Sequence, residues 1–485
     1  MPSIFETDAE LDRLASTAIA RTQALMKESD KLRDRREKAN RKRVARLFKD
    51  PEAIEATITL TDEVMRISSV KSSSRIFRRA AKKASITGFG PLNGIGLHAI
   101  GVLSHALPTP VVAAVHQRVR ALSKDLILAS EVEKLSKHMG KRSDKGIALN
   151  INVLGEAVLG DHEAELRFQS ILEMMRRPEV NYISVKLSSI VAQLIIIDVE
   201  GSITRVSEKM RILYREAQQH GVFVNLDMEE YRDLPMTVAA FMRVLDEAEF
   251  ESMKAGIVLQ AYLPEAHQFF GNLVQWSKKR YARSGGTIKV RLVKGANLAM
   301  ERAEAELHGW SPAPYRTKSD VDASYVRLID AALRPEHSNA VRIGIASHNL
   351  FHMTWAIEVA MSRGVLDQID IEMLEGMANA EALAVTRAGQ PVLLYAPVTR
   401  KDDFAAAVAY LVRRLDENTS DENYLKAAFE ISKNPKKFKE QEERFLKSIS
   451  ERHTITTDSL RHVEHGVNTA TTFENERNAD PTEPH

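Results

Sequence analysis

The sequence predicts an α/β protein built on a (β/α)8 TIM-type barrel, preceded by an N-terminal helical region. Three observations carry this expectation. After Lys145, eight short β-like runs alternate with stretches of helical periodicity, the number of units that a closed barrel requires. Within those runs alternate positions are aliphatic, as they must be when one strand face packs under helices and the other lines a lumen. The first run is not followed by the G-x-G-x-x-G fingerprint of an open doubly wound sheet, which is the rival fold.

Taken in order, residues 1–140 read as a helical N-terminal region, residues 145–425 as the barrel, and residues 426–485 as a C-terminal helical segment with a linker-like tail. From about Ala15 to Ala81 the helical pattern is heavily charged, as in "KLRDRREKANRKRVARLFKD" (Lys31 to Asp50) and "KSSSRIFRRAAKK" (Lys71 to Lys83). Solvated helix faces explain such runs, with a partner subunit or an anionic lipid surface as the alternative. "GFGPLNGIG", Gly88 to Gly96, is glycine-rich, but it does not match the phosphate-cradling spacing, and Pro91 and Asn93 predict a loop between helices. The eight strands are expected at "GIALNINVLGE", "YISVKLSSI", "GVFVNLDME", "AGIVLQAY", "TIKVRLVKGA", "AVRIGIAS", "IDIEMLEGM" and "QPVLLYAP". Helical stretches follow them, such as "DHEAELRFQSILEMMRR" after the first and "DDFAAAVAYLVRRLDEN" after the last.

Composition narrows the function classes. The 485 residues are 44% hydrophobic and 28% charged with a net charge of +2, so no global field favours polyanions and no nucleic-acid partner is expected. The absence of cysteine excludes disulfides, thiolate metal sites and a Cys nucleophile, and fits a reducing compartment. The first residues lack the basic-then-apolar order of a signal peptide, and no apolar run is long enough to cross a bilayer. The reading is a cytoplasmic protein whose membrane contact, if any, is peripheral; no metal site is expected.

The strand parity assigns the site. Ile183, Val185, Leu187, Val224, Leu226, Ile257, Leu259, Val290 and Leu292 fall on the outward parity. The inward parity collects Asn152, Glu156, Lys186, Asn225, Asp227, Gln260, Tyr262, Arg291, Arg342, His348, Glu372 and Tyr395. Most lie in the C-terminal halves of their strands, where barrels build active sites. Lys289, Arg291 and Lys294 crowd one run, "TIKVRLVKGAN", and cations inside a sheet call for an anion. A cavity lined by Lys186, Arg291 and nearby Lys294, with Asp227, Gln260 and Tyr262 interleaved, suits a large polar ligand with anionic or electron-accepting edges. The alternative is a set of buried salt bridges, for example Lys186 with Asp227. In "YLVRRLDEN" (Tyr410 to Asn418), a helix would set Glu417 four residues after Arg413 and three after Arg414, a fit to a carboxylate beside an amine. An exposed helix with ordinary charge pairs is the alternative there.

The ordered motifs "SVKLSSI", "VNLDMEE", "VLQAY", "VRLVKGAN", "ASHN", "LLYAPV" and "AYLVRRLDEN" resemble the proline dehydrogenase domain of the bifunctional proline utilisation flavoenzymes. The resemblance runs from about Arg43 to Asn423 and includes, around "RLFKDPEAIEATITLTDEVMR", what looks like their dimerisation arm, so a homodimer is expected. It implies noncovalent FAD, oxidation of L-proline to Δ1-pyrroline-5-carboxylate, and electrons passed to a membrane quinone at the inner face of the membrane. It also implies that Gln260 and Arg291 sit near the flavin ring and that Lys318 and His348 lie along its pyrophosphate and adenosine side, with Lys294, Gly295, Asn349 and Glu372 completing the cofactor site. Arg291, Lys186 and Asp227 are the catalytic residues so implied. Arg413, Arg414 and Lys186 would take the substrate carboxylate, Asp227, Tyr395 and Glu417 would line its pocket, and Glu156 would pair with Arg413 as a gate.

Three departures qualify the resemblance. Asn297 stands where family members often carry Tyr, so stacking over the substrate ring is weaker or reorganised. No ribbon-helix-helix segment precedes the arm, which leaves the DNA-binding role of some relatives unsupported. "FENERNADPTEPH" looks like the linker into an aldehyde dehydrogenase half that does not follow here. Two other classes remain as alternatives: a Schiff-base lyase with Lys186 or Lys294 as nucleophile, and a non-enzymatic helical interaction scaffold.

Overall fold

In the computed structural model of this chain, strands form at all eight expected runs. They are β1 Ile147–Val153, β2 Tyr182–Lys186, β3 Phe223–Asp227, β4 Ala255–Gln260, β5 Ile288–Val293, β6 Val341–Ala346, β7 Ile369–Leu374 and β8 Val392–Thr399. Each pairs with its successor in chain order, and β8 pairs with both β1 and β7, which closes the barrel. The sequence reading missed a two-residue strand, Leu128–Ala129, which pairs in parallel with Val398 and Thr399. Two residues are too few to show a period of two. The structure describes residues 8–47, 49–67, 69–83, 88, 91–124, 126–155, 158, 160–400, 407, 410–411, 423–461 and 480–482.

The register shows why the polar residues point inward. Ile183, Val224, Leu226, Ile257, Leu259, Val290, Leu292, Ile343, Ile345 and Ile371 are all buried, forming the aliphatic face under the helices. Their neighbours along each strand face the lumen because successive side chains alternate. Ser184 is thus aligned with Asn225, Asn225 with Gly256, and Gly256 with Lys289. One step along, Arg291 is aligned with Gly344. Glycine is required at that step: a Cβ on Gly344 would lie 2.1 Å from Glu372 Oε1 and 3.0 Å from Lys289 Cε.

Helices return the chain between strands, and their ends are closed by specific groups. Arg280, wholly buried in the helix Ala266–Ser284, donates to the carbonyls of Leu245, Phe250 and Met253 at 3.1, 2.8 and 2.6 Å. It satisfies acceptors left at the end of the helix Leu234–Leu245 and in the turn beyond. One local expectation is corrected: Pro91 does not sit in a loop but opens the helix Pro91–Leu103. A proline at the first helical position gives up an N–H that has no intrahelical partner anyway, so the residue read as a breaker is a start signal.

Two compact units make up the chain, one from Met1–Thr22, Asn150–Glu372 and Glu442–His485, the other from Gln23–Leu149 and Met373–Gln441. The second unit holds the charged helices Arg35–Leu47 and Val70–Lys83. Val64, Phe77, Ala81 and Val111 form an apolar cluster there, with Leu60, Ile76, Leu97 and Val115 packed around it. The same unit buries Arg33 against Glu381 and Arg142 against Glu375.

Candidate active site

β5 supplies the central cations. Arg291 is 4% exposed and donates through Nε to Glu372 at 2.5 Å and through Nη1 to Asp227 at 2.8 Å. A third contact reaches Ser184 Oγ at 3.3 Å. Two residues earlier, Lys289 meets the other oxygen of Glu372 at 2.7 Å and Asp370 at 2.9 Å. Burial alone would strip the proton from Lys289, but Glu372, Tyr182 and Asp370 outweigh it and hold the ammonium charged. Glu372 is likewise pulled below the usual carboxylate range against the cost of its burial, by Arg291 and Lys289. The interior is therefore a paired ionic lattice whose charges are fixed in place.

A second group gathers at the ends of β2 and β3. The Lys186 ammonium pairs with Glu229, not with Asp227 as the salt-bridge alternative had it, because Asp227 is taken by Arg291. Ser188 donates to the other Glu229 oxygen at 2.8 Å. The Glu229 backbone carbonyl accepts from Gln260 at 3.2 Å and from Asn297 at 2.8 Å. Gln260 Oε1 is buried with no hydrogen-bond partner.

The third group follows β5. Lys294 and Lys318 both pair with one carboxylate, Asp322, the first at 2.5 Å. Burial, reinforced by the neighbouring Lys318 ammonium and opposed by Asp322, brings Lys294 down to about 7. Gly295 has φ +126, and a Cβ there would lie 2.5 Å from the ring of Tyr262, so only glycine lets this turn run over the ring. After β6, Asn349 Oδ1 accepts the Phe351 N–H at 3.0 Å and caps the helix Leu350–Ser362, while His348 is half-buried beside it.

A carboxyl cluster lies just beyond Glu229. Glu301 accepts the Tyr231 N–H at 2.7 Å, and Tyr231 donates its hydroxyl to Glu265 at 2.9 Å. Burial raises both Asp233 and Glu301 to about 7, with Glu230 adding to each through charge repulsion. The Arg461 guanidinium lies over the Tyr231 ring and pairs with buried Asp480.

The structure thus brings together Arg291, Asp227 and Glu372; Lys186 and Gln260 around Glu229; and Lys294, Gly295 and Lys318 around Asp322 and Tyr262. Tyr395 is half-buried on β8, its carbonyl accepting the Glu375 N–H at 2.9 Å. Glu156, Arg413, Arg414 and Glu417 lie outside the described residues. Sequence reasoning missed Glu229 and Asp322. Asp322 follows Lys318 by four residues in a helical stretch, a signal that could have been used. Glu229 lies past the strand end, where parity no longer applies. Among the described residues no cluster of His, Asp or Glu could hold a metal ion, and no helix is long and apolar enough to cross a membrane.

A family model described as proline dehydrogenase matches residues 135–427, more than half of the chain. The chain is 24% identical over 326 residues to the proline dehydrogenase of Deinococcus radiodurans, covering 66% of this chain and 94% of that protein. It is 23% identical over 329 residues to the bifunctional protein PutA of Escherichia coli, covering 64% of this chain and 24% of that one, so it spans about a quarter of that relative's length. Among solved structures, proline utilization A from Corynebacterium freiburgense superposes with a TM-score of 0.66 at 46% identity, covering 75% of this chain and 35% of that one. The Bdellovibrio bacteriovorus counterpart, at 23% identity, shares the fold with a TM-score of 0.76 over 96% of this chain and 47% of its own.

Proposed function

The chain belongs to the proline dehydrogenase family of enzymes, and from that premise we propose that it oxidises L-proline to Δ1-pyrroline-5-carboxylate with a noncovalently bound FAD as the immediate electron acceptor. The observation that carries the reading is Arg291, a buried cation fixed by Asp227 and Glu372 inside the barrel. Three features fit the flavin nucleotide. Lys318 and Lys294 share one carboxylate, and a bound pyrophosphate would favour the protonated form of the depressed Lys294 amine, so that two ammonium groups against one carboxylate leave positive charge for it. Gly295 lets the backbone run close over the Tyr262 ring. Gln260 offers a buried amide oxygen that can accept from a ring N–H.

FAD, when bound, supplies a two-electron acceptor. The residues of this chain do the rest by binding and orienting. Arg291 presents a preorganised charge that needs no rearrangement when negative charge develops nearby. Lys186 is the carboxylate receiver among the described residues, and Asp227, accepting from Arg291 and from Asn225 Nδ2 at 3.2 Å, lines the same end of the barrel. His348 and Asn349 follow β6 and Tyr395 lies on β8, and their cofactor and substrate roles rest on the family resemblance. The roles of Arg413, Arg414 and Glu417 in clamping proline rest on the resemblance of "AYLVRRLDEN", and that of Glu156 as a gate with Arg413 on the family resemblance as a whole. A quinone as final acceptor, peripheral membrane contact and a homodimer rest on that resemblance too.

The test is an absorption spectrum of the purified protein: flavin bands that bleach anaerobically on adding L-proline are expected. No flavin bands after reconstitution with FAD would remove the reading. The Schiff-base lyase has one observation in its favour, the depressed Lys294 amine, since a neutral amine is the nucleophile. Borohydride trapping of a lysine in the presence of a carbonyl substrate distinguishes it.

A further inference from the structure

Resting on the proline reading above, we infer that Glu229 is a positioning residue: it acts through Lys186, holding the ammonium where it receives the substrate carboxylate. A lysine side chain has four rotatable bonds, and ordering it costs on the order of 2 kcal/mol of rotamer entropy. At the end of β2 that ordering is done before substrate arrives. The ammonium pairs with one Glu229 oxygen, and both side chains keep less than a fifth of their surface exposed, 14% and 17%.

Glu229 is itself held from several directions. Ser188 donates to its second carboxylate oxygen at 2.8 Å. Gln260 and Asn297 donate to its backbone carbonyl at 3.2 and 2.8 Å. Two residues on, the Tyr231 N–H is tied to Glu301. Asn297 is the N-cap residue of the helix Leu298–His308 yet makes no side-chain cap bond; its side-chain NH2 donates to the Glu229 carbonyl instead of the oxygen accepting from the first helical turn. The loop after β3 is thus anchored at Glu229 by Ser188 just past β2, Gln260 of β4 and Asn297 after β5, and Lys186 is a cation it faces across to. A side chain fixed at both ends in this way sets geometry; it does not touch the reacting bond.

A double-mutant cycle tests this with FAD-loaded protein. Glu229→Gln keeps the shape and removes the charge, and should raise the half-saturating proline concentration for flavin bleaching about tenfold or more, with a smaller change in the limiting rate. In a Lys186→Met background the same change should alter it less than about threefold, because an effect exerted through Lys186 cannot be lost twice. Glu229→Asp should recover part of the loss. If Glu229→Gln does not fold, Ser188→Ala carries the same cycle, with about a threefold effect expected in the parent and none beside Lys186→Met. An equal effect in both backgrounds, or no effect in the parent, overturns the inference and leaves the proline reading intact. A parent that proline does not bleach overturns that reading, and this inference with it.

Discussion

Arg291 and Glu301 are two buried charged residues whose environments make opposite demands on protonation. Arg291 is held by two carboxylates, so Arg291→Met leaves Asp227 without that partner and Glu372 with only Lys289 for charge balance. If its charge is called on mainly while the reaction proceeds, the variant should bleach with proline at least about tenfold more slowly, while half-saturation shifts less. Stopped-flow reduction traces at several proline concentrations separate the two; equal rates would show that Arg291 has no part in the reaction. Glu301 is raised by burial to about 7, which makes its protonated form the native one in acid. The native state keeps that proton to higher pH than the unfolded chain. The resulting stability is full below about pH 4.5 and is lost as pH climbs through 7, a loss of up to a few kcal/mol. Glu301→Gln keeps the acceptor for the Tyr231 N–H and cannot ionise, so urea midpoints of parent and variant should agree near pH 5 and separate at pH 8, the variant being the more stable. Parallel curves across that range would mean that Glu301 is not protonated in the native state.

Among the elements, β6 shows how tightly the ionic lattice constrains a strand. Gly344 lies against the Glu372 carboxylate, which Arg291 and Lys289 lock on both oxygens and which therefore cannot swing aside. Gly344→Ala should cost roughly 1–3 kcal/mol in urea unfolding with an unchanged denaturant slope, and an unaltered midpoint would mean the lattice gives way freely. How much of this was legible in the sequence follows from what fixes each element. The eight strands and their parity were readable because a period of two and a buried aliphatic face leave a direct mark in the residue order, as at Ile288, Val290 and Leu292. The pairing of cations was not. Lys186 has Asp227 as its register neighbour on β3, yet Glu229, two residues past the strand, takes the ammonium while Arg291 reaches across the lumen to Asp227. Such choices are made by loop paths and side-chain reach, which no local pattern records. Pro91 failed for the opposite reason: its local signal has two meanings, and only the helix that follows decides between them.

For the whole molecule, the same chemistry bears on stability through ligand binding. β2 to β6 all lie within one compact unit. Heat unfolding of the barrel should then register as one main transition, and a ligand that binds only the native state should move it. At a free FAD concentration about 100 times its dissociation constant the added stability is about 2.7 kcal/mol. Unfolding entropy grows with chain length at about 2 cal/mol/K per residue, close to 1 kcal/mol/K for a chain of this size, so the midpoint should rise by roughly 3 °C on adding FAD to flavin-stripped protein. Replacing Lys318 by Met removes one of the two lysine amines that share Asp322, and should leave less flavin on the purified protein and shrink that rise, while the stripped proteins melt within about a degree of each other. Scanning calorimetry with a flavin count from absorbance reads both quantities. Should stripped and FAD-supplemented protein melt together, and should Lys318→Met retain as much flavin as the parent, the paired lysines do not hold the pyrophosphate and the cofactor lies elsewhere or is not FAD.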